Sequence, residues 1–149
     1  MSARKRFDRE LFEKYDKAAR EATSNHLRTQ GYKVMEHPDR YAQDLLFYRS
    51  SDDWENPNIC LKAECEVKII WSGTEFPYDS VQLPQRKEKF FDGLTQFFIW
   101  NKDLDTAVTF WDNDIKDLTP VEVPNKYIAK GEYFYQIPME RVEIVSANI

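Results

Sequence analysis

Over residues 59–71 apolar and charged positions alternate one for one. Leu61, Ala63, Cys65, Val67, Ile69 and Trp71 interleave with Lys62, Glu64, Glu66 and Lys68. A period of two marks a β-strand, whose successive side chains point to opposite faces. The pattern predicts a strand carrying four charged side chains in a row on one face. Upstream the period changes. Phe7, Leu11, Tyr15, Ala18 and Ala22 recur at spacings of three and four, which predicts an amphipathic helix over residues 7–30 with Arg9, Glu13, Asp16 and Arg20 on its outer side. Gly31 supplies a stop. Short strands are expected at residues 32–36 and 44–48, separated by the breaker His37-Pro38-Asp39.

After the alternating strand comes Ser72-Gly73, and Pro84 and Gly93 bracket a helix expected over residues 84–93. Residues 95–100 and 106–111 read as two strands of a hairpin, and residues 127–128 and 133–137 are strand-like patches. With no repeat or linker, residues 1–149 are predicted to form one α/β (mixed α+β) domain, a central mixed sheet flanked by helices.

Composition agrees with a folded chain. Of 149 residues, 42% are hydrophobic and 15% aromatic, enough for a sizeable core. No apolar run is long enough to span a membrane, and Met1-Ser2-Ala3-Arg4-Lys5-Arg6 leads into polar helix sequence rather than a signal core, so a soluble, cytoplasmic protein is expected. Cys60 and Cys65, five positions apart in one strand, point to opposite faces and are expected as free thiols. His26 and His37 lack metal-binding spacing. The net charge of −5 weighs against a nucleic-acid partner, although basic residues outnumber acidic ones over residues 1–30.

The charged row changes this picture. A strand so apolar on its other face belongs in the middle of a sheet, where both faces are covered. Carboxylates there cost free energy unless something compensates. A divalent cation would do so, and Asp44, opening the preceding apolar run, is positioned to share one with Glu66. Asp44, Glu66 and the carbonyl of Val67 could hold Mg²⁺ or Mn²⁺. Lys68, two residues on, could reach an attacking water or a phosphate oxygen. The cation would lower the water's pKa and neutralise charge on phosphorus. Glu64 faces the same way, as a second ligand or as a solvated partner of Lys62.

Asp44 followed by Glu66-Val67-Lys68 resembles the pattern of the PD-(D/E)XK nuclease superfamily. Resolvase-like members carry a glutamate in the first helix about ten residues before a Gly-aromatic pair, and Glu21 precedes Gly31-Tyr32 by that interval. The literal Pro-Asp dipeptide is Pro38-Asp39, but the metal acid should sit on the strand, which favours Asp44. The resemblance covers residues 21–71 and implies a restriction-endonuclease-like core. It also implies a metal-dependent nuclease acting on DNA, with branched or junction DNA as a subtype and a homodimer to cut two strands. Catalytic residues would be Asp44, Glu66, Lys68 and Glu21. Arg86, Lys87 and Lys89 would suit phosphate contacts, and Arg4-Lys5-Arg6 a basic arm. Trp54, Trp71, Trp100 and Trp111 fit core packing better than base stacking. The alternative is a catalytically inactive nuclease fold that binds nucleic acid or protein.

Overall fold

The computed structural model describes residues 9–49, 60–125 and 128–147. Phe7, the Arg4-Lys5-Arg6 triplet, Trp54, the loop at 50–58 and Tyr127 lie outside the described residues. The chain is a mixed α+β fold. Among the described residues one long helix, α1 (Arg9–Thr29), precedes nine strands: β1 (Lys33–Glu36), β2 (Leu45–Tyr48), β3 (Leu61–Val67), β4 (Ser80–Pro84), β5 (Thr95–Trp100), β6 (Thr106–Trp111), β7 (Val121–Asn125), β8 (Ile128–Pro138) and β9 (Glu143–Ser146). Six form a mixed sheet in the order β1-β2-β3-β5-β6-β9, and the order β4-β8-β7 makes a second, three-stranded sheet. β3 and β5 run parallel, and every other neighbouring pair is antiparallel.

Two cores cover the two faces of the large sheet. On one, Leu45, Phe47, Ala63, Cys65, Phe98 and Trp100 meet Ala19 and Leu27 of α1. On the other, Phe97, Ile99, Val108 and Phe110 meet Val81, Leu83, Tyr135 and Ile137 of the second sheet. β5 has five of its six residues buried, as a central parallel strand requires. Both cysteines are buried thiols outside any disulfide. No helix among the described residues is long and apolar enough to cross a membrane.

Several expectations are corrected. The apolar face of α1 is rotated by roughly one residue, about 100°. Its buried positions are Ala19, Thr23 and Leu27, and Asp16 and Arg20 are half-buried rather than outside. Thr23 explains the error, because a residue that reads as polar is fully buried with its polar group satisfied. Its hydroxyl donates to the Ala19 carbonyl (2.8 Å) and accepts from the Trp100 indole (2.8 Å). The helix stop is as expected. Gly31 takes φ 92°, its N–H donates to the Arg28 carbonyl and the Tyr32 N–H to that of Leu27, the doubly bonded terminus that favours glycine.

The alternating strand is shorter than residues 59–71, because Trp71 N–H donates to the Lys68 carbonyl in a turn and leaves Ile69 and Ile70 exposed. The helix expected over residues 84–93 is a 3-10 helix, Gln85–Phe90, and Pro84 belongs to β4. Six residues with only Phe90 buried offer no apolar stripe for an α-helix to pack. The sheet is therefore not flanked by helices on both faces. Among the described residues α1 covers one face, and the other is covered by β4, β7 and β8, a sheet whose long strand β8 was legible only as the patches at 127–128 and 133–137.

Thr23→Val keeps the shape of the side chain but leaves the buried Trp100 indole N–H without an acceptor. The expected cost is about 1–3 kcal/mol, measured by urea unfolding. A loss below about 0.5 kcal/mol would show that the hydrogen bond does not hold α1 to the sheet.

Candidate active site

The register of the large sheet sets the site. Leu45 pairs with Ala63, and Lys62, Glu64 and Glu66 lie beside Thr95, Phe97 and Ile99. The charged row therefore faces the second sheet, not α1. Continuing the register by one residue sets Asp44 opposite Glu64, and their carboxyl groups are in hydrogen-bond contact. A hydrogen bond from the Cys65 N–H to Asp44 Oδ2 (2.9 Å) fixes Asp44 against the strand.

Segment 85–94, between β4 and β5, answers the buried charges. Lys62 is buried and pairs with Asp92 at 2.7 Å. Glu64 is only 9% exposed and pairs with Lys87 at 2.5 Å. The Gln43 amide nitrogen donates to the Phe90 carbonyl and to Asp92 Oδ2 (3.4 Å each), which ties the approach to β2 to the same segment. The segment is anchored to β8 by the Tyr135 hydroxyl, which donates to Glu88, and by Arg86 with Glu132 at 3.3 Å.

These elements enclose a cleft of about 560 Å³. Asp44, Glu64 and Glu66 line it from the sheet, Asp16 from α1, Arg40 from the loop before β2, and Arg86, Lys87 and Lys89 from the 3-10 helix. Four carboxyl groups thus face four cations. The balance does not relieve Asp44. Burial, then the neighbouring charge of Glu64, push its carboxyl up to about 7, against the Cys65 N–H that favours the ionised form. Glu66 is exposed yet densely surrounded, and loss of solvation raises its pKa although Lys87, Lys68 and Arg86 pull it down.

The other residues singled out from the sequence are distributed as follows. Glu66 and Val67 form the divide between this cleft and a neighbouring depression of about 330 Å³. Lys68 follows the strand and lines the neighbouring depression and the one beyond it but not this cleft, with its ammonium 5.2 Å from the centre of the Tyr78 ring. Glu21 is exposed, pairs with Lys17 at 4.0 Å and lines a different depression. The helix acid at the cleft is Asp16, hydrogen-bonded by Arg20. His26 packs edge-on against Phe98, and His37 Nδ1 accepts from the Asp39 N–H. Neither histidine lines the cleft. Sequence reasoning missed Asp16, Arg40 and Tyr41. The alternating small residue, hydroxyl and leucine at 19, 23 and 27 could have located Asp16, whereas the loop pair carries no periodic signal.

Compared with protein-family models, curated proteins and solved structures, the chain has no match. The functional reading therefore rests on the site itself.

The raised pKa of Asp44 has a sign. The unfolded carboxyl titrates near 3.8 and the folded one near 7. Between these values the folded state holds the extra proton, so this group's stabilisation is present below about pH 4 and is lost as pH rises through about 7. Asp44→Asn mimics the protonated carboxyl, accepting from Cys65 and donating to Glu64. The variant should match the wild type near pH 4 and melt a few degrees higher near pH 8 in thermal scans. A variant that melts lower at pH 8 would mean that ionised Asp44 is compensated.

Proposed function

We propose that this chain is a divalent-metal-dependent nuclease of the PD-(D/E)XK kind, hydrolysing phosphodiester bonds of DNA. The observation that carries the reading is the Asp44–Glu64 contact, two carboxyl groups pressed together in a cleft whose opposite wall is basic. Like charges at such range are tolerated only with a shared proton or a cation. The order of helix, three-stranded antiparallel run, crossover and parallel strand in one mixed sheet supports the reading.

The donor chemistry suits Mg²⁺ or Mn²⁺. Mg²⁺ commonly takes one or two carboxylates and leaves its other positions to water and phosphate oxygens. Among the described residues no group of three or more His, Cys, Asp or Glu side chains is arranged to hold a metal ion, so the fit is to this two-carboxylate mode and not to an all-protein cage. Asp44 and Glu64 are then the holding pair, with Glu66 and the carbonyl of Val67 next along the strand. A bound cation would supply Lewis acidity toward phosphate and water.

The chain's own residues would do the rest. Asp44, once ionised, and Glu64 would hold the cation. Lys87, paired with Glu64 at 2.5 Å, would with Arg86 and Lys89 on the same wall offer charge to a phosphate. Glu66, its pKa raised, is the better proton acceptor for water. Lys68 serves a phosphate farther along the groove. The Lys87–Glu64 pair also favours a second reading, in which the ammonium permanently stands where a cation would, and the cleft only binds.

Supercoiled, linear, single-stranded and branched DNA, each with Mg²⁺ or Mn²⁺, separate the two readings. The nuclease reading expects metal-dependent cleavage that Glu64→Gln lowers by about 10²-fold or more, the scale for losing a group that stabilises transition-state charge. Lys68→Ala should lower it less. A chain that binds DNA and cuts none of these substrates with either metal would establish the second reading instead.

A further inference from the structure

We infer that the cleft admits an unpaired DNA strand, with a base stacked on Tyr41 at its mouth and another on Tyr78 beyond Glu66. The inference rests on the nuclease reading for the bond that reacts, but not for the binding it describes.

Access to the acid pair is narrow. Glu64 is nearly buried, so a phosphate reaching it must pass between α1, the loop before β2 and the 3-10 helix. A cleft of about 560 Å³ is the size of a small-molecule pocket and takes a nucleotide or two. A duplex would have to be opened first, because its bases are stacked on one another and its two backbones move as one body.

The mouth carries the complementary chemistry. Tyr41 is 74% exposed and Phe12 56% exposed, and both line the cleft. Tyr41 is held for use. Its N–H donates to Asp39 (2.9 Å), its hydroxyl accepts from Arg40 (2.7 Å), and the Arg40 guanidinium lies 4.9 Å from the ring centre. An exposed tyrosine beside a cation, here half-buried, recurs on the far side of Glu66. There Lys68 sits 5.2 Å from the centre of the Tyr78 ring, which is 42% exposed and braced edge-on by Phe76. The depressions lie side by side with shared walls: Glu66 and Val67 line both of the first two, and Lys68 and Phe76 line both the second and the next. The track therefore runs aromatic and cation, acid pair, Glu66, then cation and aromatic. Aromatics offer a face to bases and cations a charge to the backbone, the combination by which proteins hold single strands. In a duplex the base faces are unavailable to either tyrosine.

Fluorescence anisotropy with a labelled oligo(dT) and a fully paired hairpin of equal charge tests this on the full chain, in chelator and in Ca²⁺ at low salt. The oligonucleotide should bind at least about tenfold more tightly than the hairpin. Tyr41→Ala and Tyr78→Ala should each weaken its binding about tenfold, while Tyr41→Phe, which keeps the ring, stays within about twofold. Equal binding of hairpin and oligo(dT), no measurable oligo(dT) binding, or unchanged binding by both alanine variants with wild-type circular dichroism would overturn the inference. No cleavage is needed for this readout. An unpaired strand that binds through Tyr41 and is never cut upholds the inference and contradicts the nuclease reading. A paired duplex cut at full rate by Tyr41→Ala and Tyr78→Ala does the reverse.

Discussion

The structure depends on how one strand face carries its charge. β3 lies third in a six-stranded sheet, with α1 over one face and a second sheet toward the other. Its charged row points into the covered side. An isolated ion in such a place costs several kcal/mol, and removing one member of a buried pair leaves that cost uncompensated. The connection from β4 to β5 must therefore bring Asp92 to Lys62 and Lys87 to Glu64. Tyr135 with Glu88 and Glu132 with Arg86 hold that connection against the second sheet. The second sheet is thus tied to the first by polar contacts as well as by its apolar core.

Compensation weakens along the strand. Lys62 has a partner among buried neighbours, and the hydrogen bonds holding Asp92 outweigh its partial desolvation and keep its pKa below the usual range. At Glu64 the answer is divided, because Lys87 approaches from one side and Asp44, another acid, from the other. At Glu66 and Lys68 the row reaches open depressions. A purely structural row would favour cation–carboxylate pairs throughout. The unresolved repulsion at Asp44 and Glu64 falls where the cleft opens, and strongly shifted acids in clefts are where chemistry is usually found.

Much of this was legible in the sequence. The period-two run gave β3 and its charged face, the residues at 95–100 and 106–111 gave the hairpin, and Gly31 gave the helix stop. The acid pair was only half legible. Alternation places Glu64 and Glu66 on one face, but which of them meets Asp44 is set by register, and Leu45 opposite Ala63 chooses Glu64. Glu21 was drawn in by a spacing pattern, while the rotation of α1 that turns Asp16 inward depends on the buried Thr23–Trp100 hydrogen bond, between residues far apart in the chain. The second sheet was obscured because β4 is short and merges into the 3-10 helix at Pro84. Tyr41 sits in a loop, where position is decided by tertiary contacts.

The most direct test is a carbon-13 NMR titration of the side-chain carboxyl groups, with and without Mg²⁺. The account predicts that Asp44 titrates near 7 without metal, and that saturating Mg²⁺ moves this midpoint well down. An Asp44 carboxyl that titrates near 4 in the absence of metal, and does not respond to Mg²⁺ or Mn²⁺, would contradict the account.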